Sequence, residues 1–253
     1  MKIAVAGGTG CVGKLVVDTV NAGGDTPIVL ARSRGVDLTT GKGLDDALKG
    51  VTAVIDVSNI TTLSRAKALA FFEAATSHLL AAGDRVGVQH HVALSIVGCD
   101  RVDYGYYHGK CRQEQLVLAG PVPGSVLRAT QFHEFAGQML EHALGPLVLT
   151  PKMLNQTVAA RDVAIALVDL ARGKAVGMAP DLAGPEENRM HELVRQLISA
   201  RRERRVLVPF RMPGAVGKAM VGGALLPTSP GPRGQITFDQ WLATDAVAAG
   251  RPS

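Results

Sequence analysis

The chain has 253 residues, and hydrophobic residues make up 47% of it, enough for one large domain, or a domain with a small appendage, around a sizeable core. Aromatics are only 4% while Gly, Ala, Val and Leu dominate, a mixture that lets helices pack closely on a buried parallel sheet. The net charge of +5 is spread along the chain except in "RQLISARRERR" (195–205), which follows the helical apolar spacing of Leu193, Val194, Leu197 and Ile198 and lacks interleaved aromatics.

That stretch reads as a solvated helix face or end, so no nucleic-acid partner is expected. No apolar run reaches the roughly 20 residues of a membrane span. Cys11, Cys99 and Cys111 have no metal-ligand spacing, and no metal is expected. The sequence enters a strand directly without a cleavable signal, so a soluble, cytoplasmic protein is the expectation. A small-molecule substrate and a monomer or homodimer complete it.

In chain order, Lys2 to Ala6 is a short apolar strand, followed by "AGGTGCVG" and a helix over Cys11 to Asn21 with apolar residues at Val12, Leu15, Val16 and Val20. "TPIVLARS" supplies a second strand, closing one βαβ unit. "GVDL" (35–38) reads as a short third strand, "GLDDALKG" as a short helix and "VTAVIDVS" (51–58) as a fourth strand. Leu63 to Ala82 is a long alanine-rich helix, "HHVALSIVG" (90–98) a fifth strand, and Tyr106 to Ala119 a helix. "GSVLRATQF" (124–132) is a sixth strand running into another helix.

Such alternation builds an α/β, doubly wound, mostly parallel Rossmann sheet with right-handed crossovers. After Leu144 prolines break the pattern, although "ARDVAIALVDLARG" (160–173) is a clear helix and "PTSPGPRG" (227–234) an exposed loop. The expected organisation is a nucleotide-binding domain over 1–145. A smaller, irregular substrate-binding region over 146–253, interleaved with the last sheet elements, would cap the carboxyl edge of the sheet.

The glycines carry the first chemistry. Gly7, Gly10 and Gly13 are three apart, and Gly8, Gly10 and Gly13 also fit G-x-G-x-x-G between a strand and a helix. There they would turn the chain tightly, admit a pyrophosphate to the backbone and let the helix N-terminus face the anion. At the end of the second strand Arg32, Ser33 and Arg34 occur with no carboxylate until Asp37. Two guanidiniums and a hydroxyl suit the extra phosphate of NADP, so NADP is expected over NAD.

A second constellation lies in "YGYYHGK" (104–110), where Tyr106 and Lys110 stand one helical turn apart, with Tyr107 or Tyr104 as the substitute for Tyr106 should the helix begin later. A tyrosine needs a nearby cation to work as acid or base near neutrality, and a lysine can supply it while holding a nicotinamide ribose. Ser95, closing the fifth strand, is placed to hydrogen-bond a substrate carbonyl. Phe132, His133, Phe135, Met139, Leu154, Phe210, Met212 and Met220 suggest an apolar pocket wall, with His133 packed rather than catalytic.

Together "GGTGCVG", "LSIVG", "YYHGKCRQEQ" and "LRATQFHEF", with "ARDVA" further on, resemble the short-chain dehydrogenase/reductase superfamily in its atypical or extended form, of the NmrA-like NAD(P)-binding kind. The resemblance is good through about residue 172 and loose beyond. It implies a sheet of about seven strands, with Tyr106 as proton donor or acceptor, Lys110 as its electrostatic partner and Ser95 as carbonyl ligand. Gly7, Thr9, Gly10, Cys11, Val12 and Gly13 would hold the pyrophosphate, Asp37 and Leu38 would border the adenine, and Val57, Ser58 and Asn59 would pass beneath the cofactor. Thr130 to Phe132 would sit near the nicotinamide.

The implied activity is hydride transfer between NADP and a carbonyl or alcohol of a small, mainly apolar substrate. One departure is the short loop over 97–105. Members of the NmrA group that lack the tyrosine serve as cofactor sensors, so a non-catalytic NADP(H)-sensing regulator is the alternative, with an epimerase or dehydratase behind it.

Overall fold

Every residue of the first strand is apolar or a short amphipathic lysine, and in the fold both of its faces are covered. The computed structural model describes residues 1–249. Strands β1 (Lys2–Ala6), β2 (Thr26–Leu30), β3 (Ala53–Asp56), β4 (His90–Ile96), β5 (Gly124–Ala129) and β8 (Gly177–Met178) form one sheet in the order β2-β1-β3-β4-β5-β8. All neighbours are parallel. Parallel strands demand crossovers, and helices provide them on both faces.

Alternate residues of β1 serve the two layers. Ile3 and Val5 pack with Val16 and Val20 of α1 (Cys11–Ala22) and with Val163, Leu167 and Val168 of α6 (Ala160–Arg172). Ala4 and Ala6 pack with Leu44 of α2 (Leu44–Ala47) and with Leu79 and Leu80 of α3 (Arg65–Val86). Ser64 caps α3 by accepting from Lys67 N, and Gly87 ends it in the left-handed region at φ +78°. Helix α4 (Gly105–Ala119) lies against α3 closely enough that a Cβ on Gly109 would stand 2.8 Å from the Ala68 carbonyl oxygen.

The sheet has six strands rather than about seven, and the missing one is "GVDL". Val36 N donates to Ala31 O and Asp37 N to Lys42 O, so this segment folds back on its own neighbours and leaves β2 as an edge. Arg32–Arg34 form a single 3₁₀ turn ahead of Gly35, which is left-handed at φ +79°.

The C-terminal third is less irregular than its prolines suggest. Beyond α6 and β8, which join the main layers, it holds a parallel pair of β6 (Leu147–Pro151) with β10 (Val206–Phe210) and an antiparallel pair of β7 (Leu154–Asn155) with β9 (Asn188–Arg189). Helices α5 (Glu134–Glu141), α7 (Met190–Ala200), α8 (Gly214–Val221) and α9 (Phe238–Ala249) surround them. Their core of Leu140, Val148, Met190, Leu193, Leu197 and Met220 is continuous with Cys99, Val102 and Tyr107, which seats this region over the carboxyl end of β4 and the start of α4. The basic segment 201–205 follows the C-terminal end of α7. Among the described residues no helix is long and apolar enough to cross a membrane.

Candidate functional site

The chain runs from β1 outward to β2 and then returns to the other side of β1 as β3, so the sheet's switch point lies between the carboxyl ends of β1 and β3. Open α/β sheets bind ligands in the crevice at that place. The glycines stand there. Gly7 turns the chain at φ +78°, and a Cβ on it would meet Ser58 Cα at 2.8 Å and Val57 O at 2.9 Å.

A Cβ on Gly13 would lie 2.1 Å from Gly7 O, so the turn and the first turn of α1 touch backbone to backbone. Gly7 and Gly13 are therefore the most closely packed positions of this turn, while a Cβ on Gly8 would lie 3.1 Å from Val29 and from Val5 O, and one on Gly10 only 3.4 Å from Gly7 O. Gly10 precedes α1 without a side-chain cap, and no acidic residue occupies the first turn, which leaves the positive helix end for an external anion. Thr9 and Cys11 are exposed beside it, Gly13 is buried, and Val12 packs partly into the core.

Leu30 of β2 is paired with Ala6, so the turn carrying Arg32, Ser33 and Arg34 follows directly beside Gly7, and all three side chains are exposed. Asp37, the first carboxylate after β2, is spent on its own turn. Its Oδ1 accepts from Thr39 N at 2.8 Å and Thr39 Oγ1 at 2.7 Å, bonds that, with the nearby Arg32, hold it below the usual carboxylate range. Leu38 is half-buried, and its carbonyl contacts His78 Nδ1 at 3.0 Å. The turn after β2 thus presents exposed basic and hydroxyl groups beside Gly7, with the carboxylate of Asp37 engaged by Thr39.

The segment after β3 joins the glycines to α4. Val57 N donates to Ala6 O, Ser58 N donates to the buried Asp56 Oδ1, and Asn59 Oδ1 accepts the Tyr106 hydroxyl at 2.6 Å. Tyr106 and Lys110 do share one helix face, and both meet Phe72 of α3. The two rings stand edge to face at 5.8 Å, and Lys110 Nζ lies 4.6 Å from the Phe72 centroid. Lys110, however, donates to Leu94 O at 2.6 Å and Gln113 Oε1 at 2.5 Å rather than to the tyrosine. Burial lowers the Lys110 ammonium to about 8 against the pull of Asp56, and burial raises the Tyr106 hydroxyl above its ordinary value.

No protein-family model matches the sequence, and no curated protein matches it. Solved structures do. A short-chain dehydrogenase/reductase superfamily protein from Agrobacterium tumefaciens with bound NAD superposes with a TM-score of 0.71 at 18% identity, over 98% of this chain and 97% of that one. The UDP-N-acetylglucosamine 4-epimerase from Bacillus cereus gives 0.73 at 18%, over 100% and 98%. The Citrobacter sp. triphenylmethane reductase complexed with NADP(H) gives 0.68 at 18%, over 90% and 93%.

The chain shares the fold of these proteins. At this identity the likeness speaks for the fold, and the neighbours divide between NAD and NADP and between reductases and epimerases. The doubly wound sheet places the crevice between β1 and β3 but leaves the reacting residues to the geometry of this chain.

Ser95 and Lys110 each stand in a buried polar network, and the other members, Glu114 and Arg128 in the first and Gln113 and Asp56 in the second, have no role assigned by the sequence motifs. Ser95 Oγ is buried and donates to Glu114 Oε1 at 2.5 Å. Glu114 also accepts from Arg128 Nε and Nη2, each at 2.7 Å, and Arg128 Nη1 reaches Asp100 at 3.0 Å. Gln113 relays Lys110 to Asp56, donating from Nε2 to Asp56 Oδ2 at 2.8 Å. Gln113 and Glu114 follow Lys110 by three and four residues, a helical spacing within the quoted "YYHGKCRQEQ".

Past β5, Thr130 Oγ1 is committed to Gln156 O at 2.6 Å and Phe132 packs on the main core. Between them both amide atoms of Gln131 are buried without a partner, as is the Ser58 hydroxyl. Orphaned polar atoms of this kind call for a further partner, a ligand or a water. The apolar wall is redrawn: Phe135, Met139, Met212 and Met220 belong to the C-terminal core, whereas Phe210 is 37% exposed on the outside of β10. His133 is packed against Phe238 and Trp241, with Nδ1 on Thr157 Oγ1 and Nε2 on Ile236 O.

Proposed function

We propose that the chain is an NADP-dependent oxidoreductase acting on a carbonyl or alcohol of a small, mainly apolar substrate. The observation that carries this is the Tyr106 to Asn59 hydrogen bond, which sets a helix-borne tyrosine on the segment that touches the glycine turn. Gly7, Thr9, Gly10, Cys11, Val12 and Gly13 would hold the pyrophosphate, Arg32, Ser33 and Arg34 the extra phosphate, and Val57 to Asn59 the nicotinamide side. Asp37 and Leu38 would border the adenine. Bound NADPH supplies the hydride.

The chain's own part is the proton. Burial keeps Tyr106 protonated at neutral pH, so it enters as a donor to the developing alkoxide, the direction of carbonyl reduction. Lys110 is held on α4 by Leu94 O and Gln113, one turn beyond the tyrosine, where its charge favours the tyrosinate left behind. The unpartnered Gln131 amide suits a carboxamide or a substrate oxygen. Residues 146–253 would supply the substrate walls.

Tyr106→Phe is expected to lower NADPH oxidation across an aldehyde and ketone panel by roughly 10²–10⁴-fold, with NADPH affinity kept within about threefold by titration of cofactor fluorescence. Full turnover by the variant would remove Tyr106 from the chemistry.

One observation favours a second reading. The Ser95 hydroxyl is donated inward to Glu114, so the third member of the constellation is spent within the protein. A protein that binds NADP(H) without turning it over would show no oxidation with any panel member, yet a partner recovered differently in pull-downs with NADP and with NADPH.

A further inference from the structure

The loop after β4 and the middle of α4 bring two thiols together. Cys99 is buried and Cys111 half-buried, and their Sγ atoms are 3.5 Å apart, within S–H···S contact. Cys99 Sγ also lies 3.5 Å from Glu114 Oε1 and 3.9 Å from Ser95 Oγ. The trio Cys99, Cys111 and Glu114 has the composition of a metal site. Glu114, however, already accepts from both Arg128 nitrogens and from Ser95, so a cation there would have to displace a bidentate guanidinium. The thiols are left with each other.

We propose that Cys99 and Cys111 form a modification site, a dithiol that a peroxide converts into an intramolecular disulfide. Bond formation needs the sulfurs to close to about 2.05 Å, a movement of about 1.5 Å by two side chains already in contact. The half-exposed Cys111 reacts first. Its thiolate attacks one peroxide oxygen, the O–O bond breaks, and the products are a sulfenic acid on Cys111 and hydroxide.

Cys99 Sγ then attacks Cys111 Sγ. The S–S bond forms as the S–O bond breaks, and the departing hydroxide leaves as water with the proton of Cys99. In sum two thiols and one peroxide give one disulfide and two waters, the thiols being oxidised and the peroxide reduced by two electrons. The half-exposed position of Cys111 supports this order, and the contact between the thiols lowers Cys111, whereas that same contact, burial and Glu114 hold Cys99 up. Cys11, the third thiol, is exposed at the start of α1 and lies outside the pair.

The ring closed by the bond runs from 99 to 111 and encloses Tyr104, Tyr106, Tyr107 and Lys110, so the modification falls on the segment that carries the candidate acid. Its detection does not depend on turnover. Full-length protein treated with hydrogen peroxide should fall from three titratable thiols to one. It should lose about 2 Da without forming a dimer, yield a Cys99–Cys111 linked peptide on digestion, and recover all three thiols with dithiothreitol. In a Cys11→Ser background the count should fall from two to zero.

Cys99→Ala should lose the 2 Da change and gain oxygen mass on Cys111, while Cys111→Ala should lose the 2 Da change and leave the buried Cys99 unoxidised. The proposal is overturned if both thiols stay titratable after peroxide, if oxygen is added without the linked peptide, or if the link involves Cys11. Stoichiometric protection of the two thiols by zinc alone, in untreated protein, would also overturn it in favour of a metal site.

Discussion

Cofactor choice rests on a few side chains at the end of β2. An NAD site places a carboxylate there to hold the ribose hydroxyls, and the first acid after β2, Asp37, instead closes its own turn on Thr39. Arg32 and Arg34 are exposed beside the glycine turn with nothing but solvent required to leave for a phosphate to enter. A charge-assisted bond to a dianion contributes about 1.5–3 kcal/mol, a factor of roughly 10 to 100 in affinity. Replacing Arg32 and Arg34 by Ala is therefore expected to weaken NADPH binding by at least that lower factor. NADH binding should stay within about threefold. Titration of both cofactors against parent and variant checks this, and equal losses for the two would take the arginines out of phosphate recognition.

At the scale of elements, what matters is how closely β1, α1 and the segment after β3 approach. A Cβ on Gly13 has to find room 2.1 Å from a carbonyl oxygen, whereas one on Gly137, inside α5, meets nothing nearer than an arginine tip at 3.9 Å. Gly13→Ala should cost about 1–3 kcal/mol by overpacking and weaken dinucleotide binding. Gly137→Ala should stabilise by about 0.5–1 kcal/mol through helix propensity. Urea unfolding of both variants tests the pair, and a neutral Gly13→Ala would show that the turn can move. The strand, turn and helix around these glycines were legible in the sequence because their evidence is local: a run of apolar residues, a spacing of three and a helical repeat. "GVDL" misled for the same reason, since a strand needs a neighbour and Val36 and Asp37 bond back to Ala31 and Lys42. The relay from Lys110 through Gln113 to Asp56, and the clasp of Arg128 on Glu114, draw on β3, α4 and β5. Periodicity tells where apolar side chains go, but not which buried polar groups find one another across such distances. The β6 to β10 pairing, parallel and far apart in sequence, was hidden in the same way.

Across the whole molecule three histidines are taken out of water at structural joints. His90 and His91 point to opposite faces of the central β4, the first with Nε2 on Ser125 Oγ at 2.8 Å and the second with a buried, unpartnered Nε2. His133 joins the end of β5 to the C-terminal region. Its Nε2 donates to the Ile236 carbonyl, and its Nδ1 stands 2.9 Å from the Thr157 hydroxyl. Burial lowers all three, and for His91 it outweighs the attraction of Asp56. The unfolded chain therefore binds more protons than the fold once pH drops below about 6.5. Stability is complete above that value and falls as pH decreases through it, by at most about 1.4 kcal/mol per pH unit for each histidine. Because one set of protons enters the central sheet and another the joint to residues 236–241, acid should loosen both together and unfolding should remain one transition. Urea denaturation between pH 7.5 and 5 is expected to show this slope, and His91→Leu to flatten it while changing stability little at pH 7.5, since its Nε2 has no partner to lose. Parallel profiles for parent and variant would mean that His91 keeps its proton balance on unfolding and that the acid sensitivity resides elsewhere.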